Sequence, residues 1–243
     1  MSTRRNSQTT SLPAPAEEFV ASVLRLRLRI AAFDCDGTLW SGDAGEEFFY
    51  WEMERGVLPD DVARWARARY EEYRAGRVGE EQMCGEMVTI NQGVACATLE
   101  RTAGEFFAER IVPRIFAEMA ELTRRLAASG CELWAVSSTN DWVIRAAAAR
   151  FGIPAERVIA ASVENENGRC TGRLIRVPTD ELKAAAIHQL LPRTPDAVFG
   201  NSVHDLAMME LGKHAFAINP NPDLEEVARQ RGWAVYQPWR QRT

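Results

Sequence analysis

Two carboxylates stand two positions apart in Asp34-Cys35-Asp36, inside a stretch, AAFDCDGTLW, that is otherwise close to apolar. Unpaired buried carboxylates are costly, so a chain that keeps two of them there is expected to offer them a cation. Three further places carry reactive types: Ser137 and Ser138, just ahead of TNDW; Lys183; and GNSVHD, with Asn201 and Asp205. Together they supply carboxylates, a hydroxyl beside a helix start, one ammonium, and an amide next to another carboxylate. That set suits a phosphate ester held with Mg²⁺. The ion takes hard oxygen ligands and keeps several waters, and helix amides and a hydroxyl bind phosphate oxygens. A lysine offsets the negative charge crowded between nucleophile and phosphate. Only Lys183 and Lys213 are lysines among 29 basic residues, so Lys183 puts a compact point charge where arginine serves almost everywhere else.

These residues can meet only if the elements before them end at one place. RIAAFDCDGT reads as a buried strand running into a polar turn, CELWAV as a strand before Ser137, and RVIAASV as another. Residues 196–199, 214–218 and 233–236 complete the strands. Between them lie helices: one with Ile115, Met119, Leu122 and Leu126 ending at Gly130, NDWVIRAAAARFG stopped by Gly152, then 180–191, 203–211 and 222–231. Asn167-Gly168 marks a hairpin in ENENGRCTGRLIRV. Such alternation predicts a parallel sheet covered on both faces, with ligands bound beyond the carboxyl ends of its strands. Strand alternation lets Asp34 and Asp36 face one site while Cys35 faces away.

The first strand is separated from the rest by a helical stretch. Phe48 and Trp51 mark one helix, Val62, Trp65, Ala66, Tyr70 and Tyr73 a second, Met83, Met87 and Ile90 a third, and Leu99, Ala103, Phe106 and Phe107 a fourth. The chain is therefore expected to be α/β: a Rossmann-like three-layer α/β/α core of residues 21–40 and 113–243, an α-helical cap inserted at 41–112, and a disordered polar tail at 1–20.

Composition sets bounds on partners. With 46% hydrophobic and 26% charged residues over 243, the chain can bury one sizeable core and a smaller inserted unit. A formal charge of -5 argues against nucleic acid or an anionic membrane as the main partner. Residues 1–20 hold no apolar leader core, and no later run approaches the roughly 18 apolar residues of a membrane span. Five cysteines without CxxC spacing fit reduced thiols in the cytoplasm. Oligomeric state leaves no trace in these patterns.

DCDGT resembles the DxDGT signature of the haloacid dehalogenase superfamily, and the other three places follow in that family's order and rough spacing. The resemblance covers residues 29 to about 236; the cap directly after the first motif and the hairpin before Lys183 are most similar to the phosphoserine phosphatase-like branch. The resemblance implies a phosphatase for a small phosphorylated metabolite. Asp34 would attack phosphorus to give an aspartyl-phosphate, while Asp36 would protonate the leaving alcohol and then activate water. Ser137 or Ser138, with Lys183, would hold the phosphate. The Asp34 carboxylate, the Asp36 main-chain carbonyl and Asn201, with Asp205 direct or through water, would hold Mg²⁺. Haloacid dehalogenases proper generally lack an acid at the place of Asp36, since a halide needs no proton to leave. GNSVHD departs from the commoner GDxxxD form, and Asn201 removes one negative charge from the metal site. Asp43, nine residues after Asp34, stands where phosphoserine phosphatases carry an acid for the substrate amine. Ser138 and Thr139, however, replace glycines of those enzymes. An amine-bearing substrate such as phosphoserine or a phosphocholine-like ester is the expectation.

Other readings compete at several of these residues. The aromatic run EEFFYWEM with Tyr70 and Tyr73 fits cap core by its spacing, or a cage for a quaternary ammonium. GNSVH is similar to a nucleophile elbow lacking its last glycine, which would make Ser202 a serine-hydrolase nucleophile. Only His204 and His214 follow it, and neither sits after a late strand. A binding or regulatory protein, catalytically weakened through Asn201, is the third alternative. His204 and Lys213 read as surface residues, and Glu46, Glu47 and Arg77 as cap residues without an assigned role.

Overall fold

Strand β1 (Ile30–Phe33) consists of four apolar residues, all buried. It pairs in parallel with β2 (Glu132–Asn140) on one side and β5 (Ala197–Gly200) on the other. The computed structural model describes residues 12–239. With β3 (Val158–Glu166), β4 (Arg169–Arg176), β6 (His214–Ile218) and β7 (Ala234–Tyr236), these strands make one sheet in the order β4-β3-β2-β1-β5-β6-β7. Every neighbouring pair is parallel except β3 and β4. The chain winds away from β1 in both directions, so the strand order switches there and a crevice opens beyond its carboxyl end.

Period-two alternation sorts the strands' side chains between two cores. Ala31, Phe33, Leu133, Ala135 and Phe199 lie on one face, with Val20 and Val23 of α1 (Ala14–Leu24), Leu122 of α6 (Ala117–Ala128) and Ile144 of α7 (Asp141–Ala148). Ile30, Ala32, Val136 and Val198 lie on the other, beneath Ile187 of α8 (Glu181–Leu190), Met208 of α9 (Leu206–Met209) and Leu224 of α10 (Pro222–Arg231). This is the three-layer α/β/α arrangement.

Between β1 and β2 run α2 (Ala44–Glu54), α3 (Asp60–Arg74), α4 (Glu80–Thr89) and α5 (Cys96–Phe106). Phe49, Met53, Leu58, Ala66, Tyr70, Val78 and Met83 pack with one another. Phe48, Trp51, Val88, Leu99, Ala103 and Phe106 instead join the core on the sheet's first face. Backbone bonds also tie the loop ahead of α5 to the hairpin: Gly93 donates to Cys170 at 2.8 Å and Cys170 to Val94 at 2.9 Å. Among the described residues no helix is long and apolar enough to cross a membrane.

Four expectations need correction. Residues 14–20, expected in a disordered tail, form the first turns of α1: Ala16, Val20 and Val23 make a buried stripe, and Arg125 holds Glu17 at 2.6 Å. The proline that punctuates this stretch sits where a helix start needs no N–H; residues 1–11 lie outside the described residues. Ser137 and Ser138 fall inside β2 instead of after it, where its pairing with β3 becomes irregular between Ser137 and Asn140. The helix expected over 203–211 is a 3₁₀ turn, Val203–Asp205, followed by the short α9. The hairpin is as read: Asn167 and Gly168 have φ of 52° and 76°, the left-handed pair of a type I′ turn. Trp65, read as an apolar-face residue of α3, is 49% exposed.

Candidate active site

The ladder continues one residue past β1, since the Asp34 N–H donates to the Phe199 carbonyl at 2.9 Å. The chain then turns through Gly37 at φ +75°, where a Cβ would lie 1.9 Å from the Asn201 side-chain nitrogen. A glycine is what lets the loop after β1 and the loop after β5 touch. Gly200 serves the same end, because its Cβ would lie 2.7 Å from that of Asp205.

Lys183, carried in the first turn of α8, is buried between two carboxylates. Its Nζ donates to Asp34 Oδ1 at 2.8 Å and to Asp205 Oδ1 at 2.6 Å, and the three residues are 3%, 5% and 0% exposed. Asp34 Oδ2 also accepts from the Thr38 hydroxyl at 2.8 Å. Asp205 Oδ2 accepts from the N–H groups of Asn201 and Ser202 at 2.8 and 3.1 Å. Burial and the charge of Asp205 push Asp34 up to about 6, against the pull of Lys183 and Thr38. Burial works against the charge of Lys183, but Asp205 and Asp34 outweigh it and hold the ammonium protonated.

Two buried carboxylates against one ammonium leave a net negative charge. The Asn201 side chain lies against Gly37, next in the chain to Asp36. Among the described residues no three His, Cys, Asp or Glu side chains converge as a metal cluster. The donors that fit a metal are mixed: the Asp34 carboxylate, a main-chain carbonyl in its loop, and the Asn201 amide oxygen. All are hard oxygens, the set Mg²⁺ accepts while keeping waters. Asp205 accepts the Lys183 ammonium on Oδ1 and the Asn201 and Ser202 N–H groups on Oδ2, which leaves a lone pair for a water on Oδ1 alone.

Asp36 turns toward the inserted helices. Its Oδ1 accepts from Trp40 Nε1 at 2.8 Å and the Ala44 N–H at 2.6 Å, and Oδ2 from the Thr139 hydroxyl at 2.7 Å. Burial and the nearby Asp43 push this carboxyl up to about 7, although those donors favour its charged form. Cys35, between the two acids, points into the apolar core. Ser137 is buried and accepts the Thr139 N–H at 3.1 Å, whereas Ser138 is half-buried and lines a pocket.

That pocket lies between the start of α2, α3, α4 and the end of β2. It is lined by Asp43, Glu46, Phe49, Tyr70, Cys84 and Thr139, among others. Asp43 caps α2, accepting the Glu46 N–H at 2.9 Å. Gly45 admits Thr139, whose hydroxyl would lie 2.7 Å from a Cβ there. Glu47 makes a bidentate pair with Arg114 at 2.6 and 2.8 Å, which gives it a structural role. Arg77 is exposed and does not line the pocket.

Ser202 shares a reciprocal capping box with Asp205, and His204 bonds Asp180 at 2.8 Å, so the pairing a serine nucleophile needs is not made. His204 is nonetheless more than surface. Asp180 sits at φ 46°, three residues ahead of Lys183, and His204 links that loop to the one carrying Asp205. Lys213 is exposed and pairs with Asp196. Sequence reading missed Thr38 and Thr139; the hydroxyl-rich run SSTN was the available signal for the second.

A histidinol-phosphatase of Neisseria meningitidis serogroup C is 25% identical over 217 residues, covering 85% of this chain and 97% of that protein. A phosphoserine phosphatase of Mycobacterium tuberculosis is 25% identical over 215 residues, 84% of this chain and 69% of its own length. A Bordetella pertussis Tohama I protein of unknown function, solved by crystallography, superposes with a TM-score of 0.76 at 28% identity, covering 86% of this chain and 97% of that one. Residues 31–210, from the first residues of β1 past the Asp205 loop, match the model of haloacid dehalogenase-like hydrolases, and the chain belongs to that family.

Proposed function

We propose that this hydrolase, a phosphoric monoester hydrolase by its family and its relatives, is a Mg²⁺-dependent phosphatase that works through Asp34 on a small, amine-bearing substrate. The observation that carries the reading is the buried Lys183 shared by Asp34 and Asp205, with Asp36 held two residues away by three donors. Asp34 attacks phosphorus as the bond to the leaving oxygen breaks, which gives an aspartyl-phosphate. Asp36, with its carboxyl near neutrality, gives its proton to the leaving alcohol and takes one back from the water that opens the intermediate. Lys183 offsets the charge between carboxylate and phosphoryl group, and Ser137 or Ser138 donates to a phosphate oxygen. Mg²⁺, held by Asp34, the Asp36 carbonyl and Asn201, with Asp205 through water, would supply further charge neutralisation at the phosphoryl oxygens.

Residues 41–112 serve as the cap over this site, and the acid on its rim, Asp43, faces the substrate amine. The names of the relatives point the same way, since histidinol and phosphoserine both carry an amine. Unpaired cysteines and the charge of -5 support action in the cytoplasm on a small metabolite, without nucleic acid. The test is hydrolysis of p-nitrophenyl phosphate and a panel of phosphate monoesters, with Mg²⁺ and after exhaustive EDTA. Asp34→Asn should keep the fold and lose at least about 10³ in kcat. Turnover that survives either treatment removes this mechanism, and a folded wild type without any turnover installs the binding reading in its place.

A further inference from the structure

Four carboxyl groups line the pocket beside Asp36, those of Asp43, Glu46, Glu52 and Glu80, and its lining includes no arginine or lysine. Three of the four are met by a donor or by solvent: Asp43 accepts the Glu46 N–H, the Tyr73 hydroxyl bonds Glu80, and Glu46 is half-buried with access to solvent. Glu52 differs. It is 1% exposed, Asn91 reaches only its Oε1, at 3.5 Å, and its Oε2 has no hydrogen-bond partner. It falls one and two turns after Phe48 and Gly45 on α2, so all three share the helix face that lines the pocket. A buried carboxyl oxygen without a donor is an unmet hydrogen-bonding demand, and burial alone pushes this group well above the usual carboxylate range.

We infer that Glu52 is the floor of the leaving-group pocket and receives an N–H-bearing, positively charged nitrogen group on an alcohol that carries no carboxylate. This deepens the phosphatase reading and rests on it. The pocket belongs to the leaving group because Thr139, which holds Asp36 Oδ2, also lines it. An alcohol protonated by Asp36 therefore departs toward these walls. An N–H is required because Oε2 lacks a donor. A quaternary ammonium would suit the faces of Phe49, Tyr70 and Tyr73 but would leave Oε2 unpaired. A substrate carboxylate would find no arginine or lysine in this lining to pair with, which works against phosphoamino acids. The substrate class is thus an amino-alcohol phosphate: a primary amine, or a protonated azole or guanidine.

The experiment measures kcat/KM of the full-length protein with Mg²⁺ for p-nitrophenyl phosphate, phosphoethanolamine, histidinol phosphate, phosphocholine and phosphoserine. The better of the two N–H esters without a carboxylate should exceed both phosphocholine and phosphoserine by at least about tenfold. Glu52→Gln should lower the ratio of kcat/KM for that ester to that for p-nitrophenyl phosphate by about tenfold or more, mainly through KM. A change in packing alone would not resolve the two substrates in that way. If p-nitrophenyl phosphate is hydrolysed but phosphocholine or phosphoserine is preferred, or the ratio does not move in a folded Glu52→Gln, the inference fails and the phosphatase reading stands. No hydrolysis of any ester, p-nitrophenyl phosphate included, removes both. Should Glu52→Gln not fold, the wild-type ranking decides alone.

Discussion

A single lysine does most to define this site. Lys183 lies between Asp34 and Asp205, each within 2.8 Å, so the carboxyl proposed as nucleophile is held ionisable and the pair of acids is kept from repelling itself open. Arginine, abundant elsewhere in the chain, is a broad planar fork and would not fit one buried point between two carboxylates. The residue that departs from the family's commoner pattern is Asn201, whose neutral amide leaves the proposed metal site one charge short. Asn201→Asp is close to isosteric and restores it. The Mg²⁺ concentration for half-maximal activity should fall by about tenfold, the order expected for one added charge near a cation in a partly buried site. Titration of activity against Mg²⁺ checks this, and an unchanged or higher requirement removes Asn201 from the ligand set.

At the scale of elements, the site depends on strands that begin in register. Asp196, just ahead of β5, accepts from the N–H groups of Arg29 and Ile30 at 2.8 and 3.2 Å, and its own carbonyl accepts from His214. One residue thereby aligns the starts of β1, β5 and β6. Lys213, with the two backbone donors, holds the Asp196 carboxyl down at about 2. The folded-state value lies below the unfolded one, so this contribution to stability is present above about pH 4 and is lost as pH falls toward 2. Lys213 is exposed, and its share is screened. Asp196→Asn should therefore cost about 1 kcal/mol at pH 7, and the melting curves of variant and wild type should converge near pH 2. A difference that stays constant with pH would show that Asp196 acts through geometry alone.

For the whole molecule, the inserted helices share their core with the sheet. Leu99, Ala103 and Phe106 of α5 pack in the same cluster as Phe33 and Ile144, and the loop before α5 is bonded to the hairpin. Melting of the insert apart from the sheet would expose that common core, so calorimetry should show one transition. Leu99→Ala opens a cavity in it and should cost about 2–5 kcal/mol, lowering that transition by roughly 5–15 °C without splitting it. Two separated transitions in the variant would mean that α5 belongs to a unit that unfolds by itself.

What the sequence determined by itself is local in origin. Short continuous apolar runs named most of the strands, three-and-four spacing most of the helices, and Asn167-Gly168 the hairpin, because a strand buried on both faces, a helix face and a tight turn each leave their mark on neighbouring residues. Asp34, Asp36, Lys183, Asn201 and Asp205 were legible because polar groups at the ends of apolar strands need a reason to be there. Tertiary structure decided what depends on distant partners. Prolines near residue 14 read as disorder until α6 supplied a surface for Ala16 and Val20 to cover. Thr139 became a support for Asp36 only when Gly45 let α2 approach it. Glu52, in a run of aromatics, gives no sign in the sequence of being unpaired, since a missing hydrogen bond is a property of everything packed around an atom and of nothing in its neighbours along the chain.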